Sequence, residues 1–175
     1  MLSVEQAHAE LDKHLAEDAP KVQHSKVVAS LMKHLAKATG QDAVLWEVVG
    51  LCHDLDDAVT KADRRLHGLL AAGWLEGRLP GEALEAIQAH DHRTGLSSNT
   101  QLADALKLAD ALAIADKDVG REIIFGIGSD AGLAELANRL VKTRPYLCPI
   151  ITELADRMKI RLSSVAELFD NAPSQ

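Results

Sequence analysis

Residues 45–57 read LWEVVGLCHDLDD and combine the apolar spacing of a helix with an abrupt change to charged side chains. Apolar residues recur in this stretch at intervals of three and four, which places them on one face of a helix. That face consists of Leu45, Val48, Val49 and Cys52. The helix is predicted to begin after Asp42, a favourable N-cap, and to end at about Asp54. His53 and Asp54 therefore follow directly from an inward face, and polar residues on an apolar stripe are the informative part of a sequence.

The same spacing continues along most of the chain. Ala and Leu dominate, runs of β-branched residues are short, and apolar residues do not alternate with period two. Helices are predicted at 3–17, 21–38, 43–54, 62–77, 81–91 and 101–116, and further along at 131–143, 147–160 and 162–170. Turn-forming residues separate them, such as Leu79-Pro80-Gly81 and the C-cap Gly40. We therefore expect an all-α fold.

Length and composition restrict the class of protein. The 175 residues suit one domain, and 47% hydrophobic with 26% charged residues is typical of a globular chain. The net charge of −7 argues against a broad surface for nucleic-acid polymers. No apolar run approaches the roughly 18 residues of a membrane span. Two cysteines, and a start without the basic-then-apolar pattern of a signal peptide, lead us to expect a reduced, cytoplasmic protein.

Six polar residues lie on the apolar stripes of separate predicted helices or at their ends. They are His24, His53, Asp54, His67, His90 and Asp110. In particular, His67 is expected to share a helix face with Leu70, Ala71 and Trp74. A single inward histidine is usually a satisfied core residue, but a buried carboxylate is costly unless it is paired or bound to a metal.

Convergence on a metal centre is one economical explanation for all six residues. Imidazole with carboxylate suits Fe, Mn, Co, Ni or Zn better than Ca or Mg alone. Six protein ligands exceed what one open catalytic ion needs, and they suit two ions with one bridging carboxylate.

The His53-Asp54 pair, with His24 before it and Asp110 after it, resembles the H…HD…D motif of the HD superfamily of metal-dependent phosphohydrolases. The segments HSKVVASLMKHLA (24–36), HGLLAAGWLEG (67–77), AIQAHDHRTG (86–95) and ALKLADALA (105–113) are similar to a small bacterial branch of HD hydrolases. His67 and His90 are spaced as in the members with six ligands. The resemblance covers about half of the chain.

The resemblance implies an HD-domain helical bundle of about five core helices, with further helices toward the C-terminus. On this reading residues 1–175 form a single HD domain, with a motif core at 21–116 and a C-terminal helical extension at 117–175. The resemblance also implies two divalent ions, from among Fe, Mn, Co, Ni, Zn and Mg. The first ion would be held by His24, His53, Asp54 and Asp110, and Asp54 would bridge to a second ion held with His67 and His90. A metal-activated water would then cleave a phosphoester of a small phosphorylated metabolite or nucleotide.

Supporting residues are chosen by their nearness in sequence to these ligands. Lys61 and Arg93 are favoured as phosphate contacts because both fall in predicted loops beside metal positions. Either Asp56 or Asp57 is expected to orient a ligand histidine or to act as an acid or base, unless it only caps a helix. We include Asp57 and Asp54 among the catalytic candidates. His92 could donate a proton to the leaving group, or could be an exposed bystander.

Several alternatives stay open at this level. The same six residues would serve a di-iron oxygenase of the HD type, a binding protein with a degenerate site, or a helical bundle with a structural metal. The Ala- and Leu-rich faces near 131–160 could form a homodimer contact or the rest of the core. We expect no membrane and no nucleic-acid polymer among the partners.

Overall fold

A computed structural model describes residues 1–174, and within them it contains eleven α-helices and no strand. The helices are α1 (Val4–Leu15), α2 (Ala19–Thr39), α3 (Ala43–Cys52), α4 (Asp57–Thr60), α5 (Leu69–Trp74), α6 (Gly81–Ala89), α7 (Gln101–Val119), α8 (Arg121–Phe125), α9 (Asp130–Leu140), α10 (Leu147–Arg157) and α11 (Val165–Leu168). Short 3₁₀ turns lie at Arg64–Leu66, His92–Thr94 and Leu162–Ser164. The predicted all-α fold is confirmed.

Helix α2 is the centre of the bundle. It packs most extensively against α3 and also against α7, which in turn contacts α6 and α10. The α2–α3 crossing is close because Gly50 faces Ala29, where an added Cβ would come within 2.6 Å of the Ala29 Cα atom. The helix starts and ends follow ordinary capping: the Asp18 and Asp42 side chains cap α2 and α3, and Gly40 ends α2 in the left-handed conformation.

The single helix predicted at 62–77 is wrong. The chain forms a 3₁₀ turn at Arg64–Leu66, becomes extended at His67, and passes through Gly68 at φ +79° before α5 begins. Gly68 is required there, because a Cβ at this position would lie 2.4 Å from the Ile87 carbonyl oxygen. Periodicity alone does not register such a break, because apolar residues on both sides keep helical spacing.

This break also changes the expected neighbours of His67. His67 precedes α5, so it does not share a helix face with Trp74. Trp74 is instead 38% exposed and stacks on the His14 ring of α1, with ring centroids 4.2 Å apart. Elsewhere α3 ends at Cys52 rather than Asp54, α7 continues to Val119, and α8 forms where no helix is predicted.

The helices after α7 complete the same hydrophobic core. Leu136 of α9, Ile151 of α10 and Leu168 of α11 belong to the continuous apolar cluster that also contains the α2 and α3 side chains. Arg121 binds the Ala172 and Pro173 carbonyl oxygens, which fixes the end of the described chain beside this core. The single domain expected for residues 1–175 stays a prediction.

Over residues 1–174, every helix is too short or too polar to cross a bilayer.

Candidate metal centre

Five structural elements bring the six predicted ligands together. His24 lies near the start of α2, and Asp110 lies in the middle of α7. The other four are at helix ends or breaks: His53 and Asp54 directly follow α3, His90 directly follows α6, and His67 is the extended residue before Gly68 and α5. Helix ends suit this role because a side chain there can point along the helix into a space between neighbouring elements.

The carboxylate of Asp54 is at the centre of the cluster, and its two oxygens face different histidine pairs. Oδ2 lies 3.5 Å from His24 Nε2 and 3.2 Å from His53 Nε2. Oδ1 lies 2.9 Å from His67 Nε2 and 3.4 Å from His90 Nε2. Two groups of three residues could each hold a metal ion. They are His24, His53 and Asp54, and Asp54, His67 and His90, so the two groups share Asp54.

Asp110 joins the first of these sets. Its Oδ1 atom lies 3.0 Å from His24 Nε2 and 3.9 Å from His53 Nε2. The Asp110 side chain is 21% exposed, in contrast to Asp54, so it borders open space. That space is a cavity of about 870 Å³, and the cluster lies on its wall.

The opposite ring nitrogens of three histidines are fixed by hydrogen bonds. The Nδ1–H of His53 donates to the Gly50 carbonyl oxygen at 2.8 Å, and that of His90 donates to Ile87 at 2.7 Å. His67 Nδ1 lies 2.8 Å from Asp56 Oδ1. A partner on Nδ1 directs Nε2 into the cluster, which is the usual arrangement of metal-ligating histidines.

The cluster fits a metal on its own geometry. His53 Nε2 is buried and has no hydrogen-bond partner among residues 1–174. A buried polar atom is rarely left unpaired in a folded protein, so a cation in front of this nitrogen would satisfy it. Imidazole with carboxylate is a donor set typical of transition metals.

The electrostatics favour accumulation of positive charge. Burial works to raise the pKa of Asp54, but the charges of His53 and Lys21 outweigh it and hold the pKa well below its usual range. Burial lowers the pKa of His67, but Asp54 and Asp56 more than compensate and raise it to about 9. His90 also has a raised pKa, since hydrogen bonding to Asp54 outweighs its burial. The carboxylates are thus ionised and attract cations.

Asp56, rather than Asp57, contacts a ligand histidine. Asp56 is fully buried, and its second oxygen accepts a hydrogen bond from the Ala71 backbone N–H at 3.0 Å. It therefore connects His67 to the start of α5. Asp57 faces the cavity, where its Oδ1 atom lies 2.7 Å from Arg64 and 3.5 Å from Lys21. Burial works to raise the pKa of Asp57, but Lys21 and Arg64 keep it below its usual value.

The other three predicted site residues, Arg93, His92 and Lys61, differ in their exposure and in whether they line the cavity. Arg93 lines the cavity, but its guanidinium is bound to both oxygens of Asp91. His92 lines the rim with its side chain 80% exposed. Lys61 is 58% exposed, pairs with Asp18 at 3.5 Å, and is not among the residues that line the cavity. Lys61 is close to His53-Asp54 in sequence, but its Nζ atom pairs with Asp18 rather than with a residue of the cluster.

Lys21 is the cation that the sequence analysis missed. Its Nζ atom donates to Asp54 Oδ2 at 2.8 Å, and Asp54 raises the Lys21 pKa although burial opposes this. Lys21 precedes His24 by three residues on α2, and residues at this spacing lie on the same helix face. That spacing is the signal that could have identified it.

Comparison with known proteins gives a family but no individual relative. Searches of curated proteins and of solved structures gave no significant match. The model of the HD domain family matches residues 22–115, a range that covers more than half of the chain and includes all six residues of the cluster. The match is to the family as a whole and assigns no branch within it. The chain therefore belongs to the HD domain family, whose members are in general metal-dependent hydrolases.

Proposed function

We propose that this protein is a metal-dependent phosphohydrolase that cleaves a phosphoester of a small phosphorylated metabolite or nucleotide with a metal-activated water. The observation that carries the proposal is the position of Asp54. Its two oxygens face separate histidine pairs on the wall of a cavity of about 870 Å³. Membership of the HD domain family supports a hydrolase in general terms.

The six clustered residues would hold two divalent ions, from among Fe, Mn, Co, Ni, Zn and Mg. The first would be held by His24, His53, Asp54 and Asp110, and the second by Asp54, His67 and His90. Divalent ions in such a site polarise phosphoryl oxygens and lower the pKa of water.

Charged side chains beside the cluster are suited to bind and orient the phosphoryl group. Lys21 and Arg64 surround Asp57, and Arg93 lies on the same cavity wall. Their positive charge offsets the negative charge that develops on phosphoryl oxygens in the transition state. Lys61 has no place in this arrangement, since it lies outside the cavity.

Two further residues are assigned proton transfer. Asp57 faces the cavity beside the cluster, where its carboxylate oxygens can accept a proton from an attacking water. His92 is exposed at the cavity rim, where its imidazole can donate a proton to the oxygen of a departing alcohol. Asp54 lies between the four histidines and would bridge the ions.

The test is phosphate release by metal-loaded protein. The protein is reconstituted with Fe, Mn, Co, Ni, Zn or Mg, its ion content is measured by plasma mass spectrometry, and phosphomonoesters, phosphodiesters and nucleotides are assayed. Turnover that Asp54→Asn abolishes would support the proposal. Absence of turnover over the whole panel in protein carrying two ions would contradict it. Oxygen consumption without phosphate release would instead assign the same residues to a di-iron oxygenase.

The setting of this activity is also a proposal. We expect a cytoplasmic enzyme acting on a small molecule rather than on a nucleic-acid polymer, in agreement with the net charge of −7. A homodimer through residues near 131–160 stays a prediction, and light scattering of the purified protein would test it.

A further inference from the structure

One face of α7 runs along the cavity and presents charged residues on both sides of Asp110. Lys107 precedes Asp110 by one helical turn, and Lys117 follows it by two turns. At about 1.5 Å of rise per residue, these lysines start about 4.5 Å and about 10.5 Å from Asp110 along the helix axis. Ile114 lies between Asp110 and Lys117 on the same face.

Lys107 and Lys117 differ from the other cations that line the cavity in having no carboxylate partner within residues 1–174. The remaining Lys and Arg side chains of the cavity are all ion-paired: Lys21 with Asp54, Arg64 with Asp57, Arg93 with Asp91, Arg144 with Asp118, and Arg157 with Asp104 and Glu153. Both lysines can therefore bind an anionic ligand without breaking an ion pair of the protein.

Helix α10 packs against α7 and also lines the cavity. Arg157 at the end of α10 binds Asp104 near the start of α7, at 3.0 Å, and Arg144 just before α10 binds Asp118 near the end of α7. These ion pairs show that α10 runs antiparallel to α7. They also offset two of the three negative charges of Asp104, Asp118 and Glu153 in this part of the cavity, and they leave Lys117 itself outside any ion pair.

The part of the cavity that α7 and α10 line is partly apolar, and the cavity is larger than a phosphate group needs. Ile114 of α7 and Ile150 of α10 both line it and are only partly buried. The cavity volume of about 870 Å³ lies in the range of pockets that enclose a drug-sized ligand, about 300–1,000 Å³. Its α10 wall lies outside residues 22–115, the part matched by the HD family.

We propose that the substrate carries a second anionic group, which Lys117 binds, while Lys107 contacts the phosphoryl group held at the cluster. Ile114 and Ile150 contact the organic part between the two anions. This inference rests on the proposed phosphohydrolase function and specifies its substrate class: a phosphoester with a carboxylate or second phosphate separated from the scissile phosphate by an apolar spacer.

The test compares two esters that differ in one charge, hexyl phosphate and 6-(phosphonooxy)hexanoate. The metal-loaded full-length protein should show a kcat/KM about tenfold or more higher for the carboxylated ester, as one charge-assisted contact provides. Lys117→Met should bring the ratio of the two kcat/KM values close to one. Lys142→Met removes an exposed lysine outside the cavity and should keep the ratio of the unaltered protein.

A second measurement separates failure of this inference from failure of the proposed function. The affinity of the same two esters for the metal-loaded protein is measured by calorimetry. If neither ester is hydrolysed but the carboxylated one binds more tightly in a Lys117-dependent way, the second-anion site stands and the phosphohydrolase proposal does not.

Two results would overturn the inference directly. One is an equal kcat/KM of the unaltered protein for the two esters. The other is an undiminished preference in Lys117→Met. A purely structural role of Lys117 in the last turn of α7 would change the melting temperature but not the ratio between esters.

Discussion

The two halves of the metal centre are built in different ways. The long-helix half comprises His24 and Asp110, which lie on the 21-residue α2 and the 19-residue α7, and His53, which follows α3 where that helix packs on α2. The short-segment half comprises His67 and His90, which lie beside a 3₁₀ turn, the six-residue α5 and the nine-residue α6. In the first half the ligand positions follow from the packing of large apolar faces. In the second half they depend on a few individual residues, chiefly Asp56 and Gly68.

This difference predicts that single substitutions affect the short-segment half more than the long-helix half. Helix packing distributes its stabilisation over many apolar contacts, so one altered contact displaces a ligand only slightly. His67, by contrast, is positioned by one hydrogen bond to Asp56 and by a backbone turn that requires Gly68. We therefore expect single substitutions to remove the second ion while the first remains.

The largest effect should come from Asp54, the residue that both halves share. Asp54→Asn should lose both ions and about a thousandfold or more of the hydrolytic rate, since metal ions supply several kcal/mol of transition-state stabilisation. Asp110→Asn is the matched control, because Asp110 contacts only the long-helix half, and it should retain about one ion per chain. Plasma mass spectrometry and phosphate release measure both. Equal ion content in the two variants would contradict the shared role of Asp54.

The next effect concerns the backbone of the short-segment half. Gly68→Ala forces an alanine to φ +79° with its Cβ against the Ile87 carbonyl oxygen, so we expect a loss of about 3 kcal/mol in the free energy of unfolding. Gly73→Ala is the control, because Gly73 has open space around it within α5 and gains about 0.5–1 kcal/mol as alanine. Denaturant titration gives both values. Similar stability of the two variants would show that the turn at Gly68 is not required.

Metal addition should stabilise the folded protein. An ion present at a hundred times its dissociation constant adds about 2.7 kcal/mol, which for a chain of this length raises the melting temperature by about 5–10 °C. Calorimetry of metal-free and reconstituted protein measures the shift. His67→Ala should retain part of the shift, through the long-helix half, whereas Asp54→Asn should show none. A shift of the same size in Asp54→Asn would place the bound ion elsewhere.

The smallest effect should come from a substitution of Asp56, which is not among the residues that line the cavity. Asp56→Asn replaces one acceptor oxygen with an amide, so it cannot accept from both His67 and Ala71. Affinity for the second ion should fall about 10–100-fold while the first ion is retained. Asp63→Asn is the matched control, since Asp63 caps the 3₁₀ turn at Arg64–Leu66, just before His67, without contacting the cluster. Loss of both ions in Asp56→Asn would refute the independence of the two halves.

The sequence predicts the all-α fold and the six clustered residues. The reasons for expecting each residue in the cluster are correct for some of them and wrong for others. His24 and Asp110 lie on apolar stripes of long helices, where periodicity is a dependable signal. His67 was placed on a helix face that does not exist, and its position in the cluster follows instead from a turn at Gly68.

Residues that depend on non-local packing were harder to predict. Lys21 shares a helix face with His24, but its ion pair with Asp54 also depends on the α2–α3 crossing, which no local pattern shows. Lys61 was expected near the site from sequence distance alone. The position of α10 beside the cavity depends on core packing and on ion pairs between residues far apart in sequence, for which no local pattern exists.

The stacking of Trp74 on His14 offers an optical probe of the short-segment half. Trp74 ends α5, the helix that begins two residues after His67, and its partly exposed indole touches a ring of α1. The other tryptophan, Trp46, is buried in the core. A Trp46→Phe variant would leave one fluorophore, whose emission would follow any rearrangement of this segment in real time as a second ion binds.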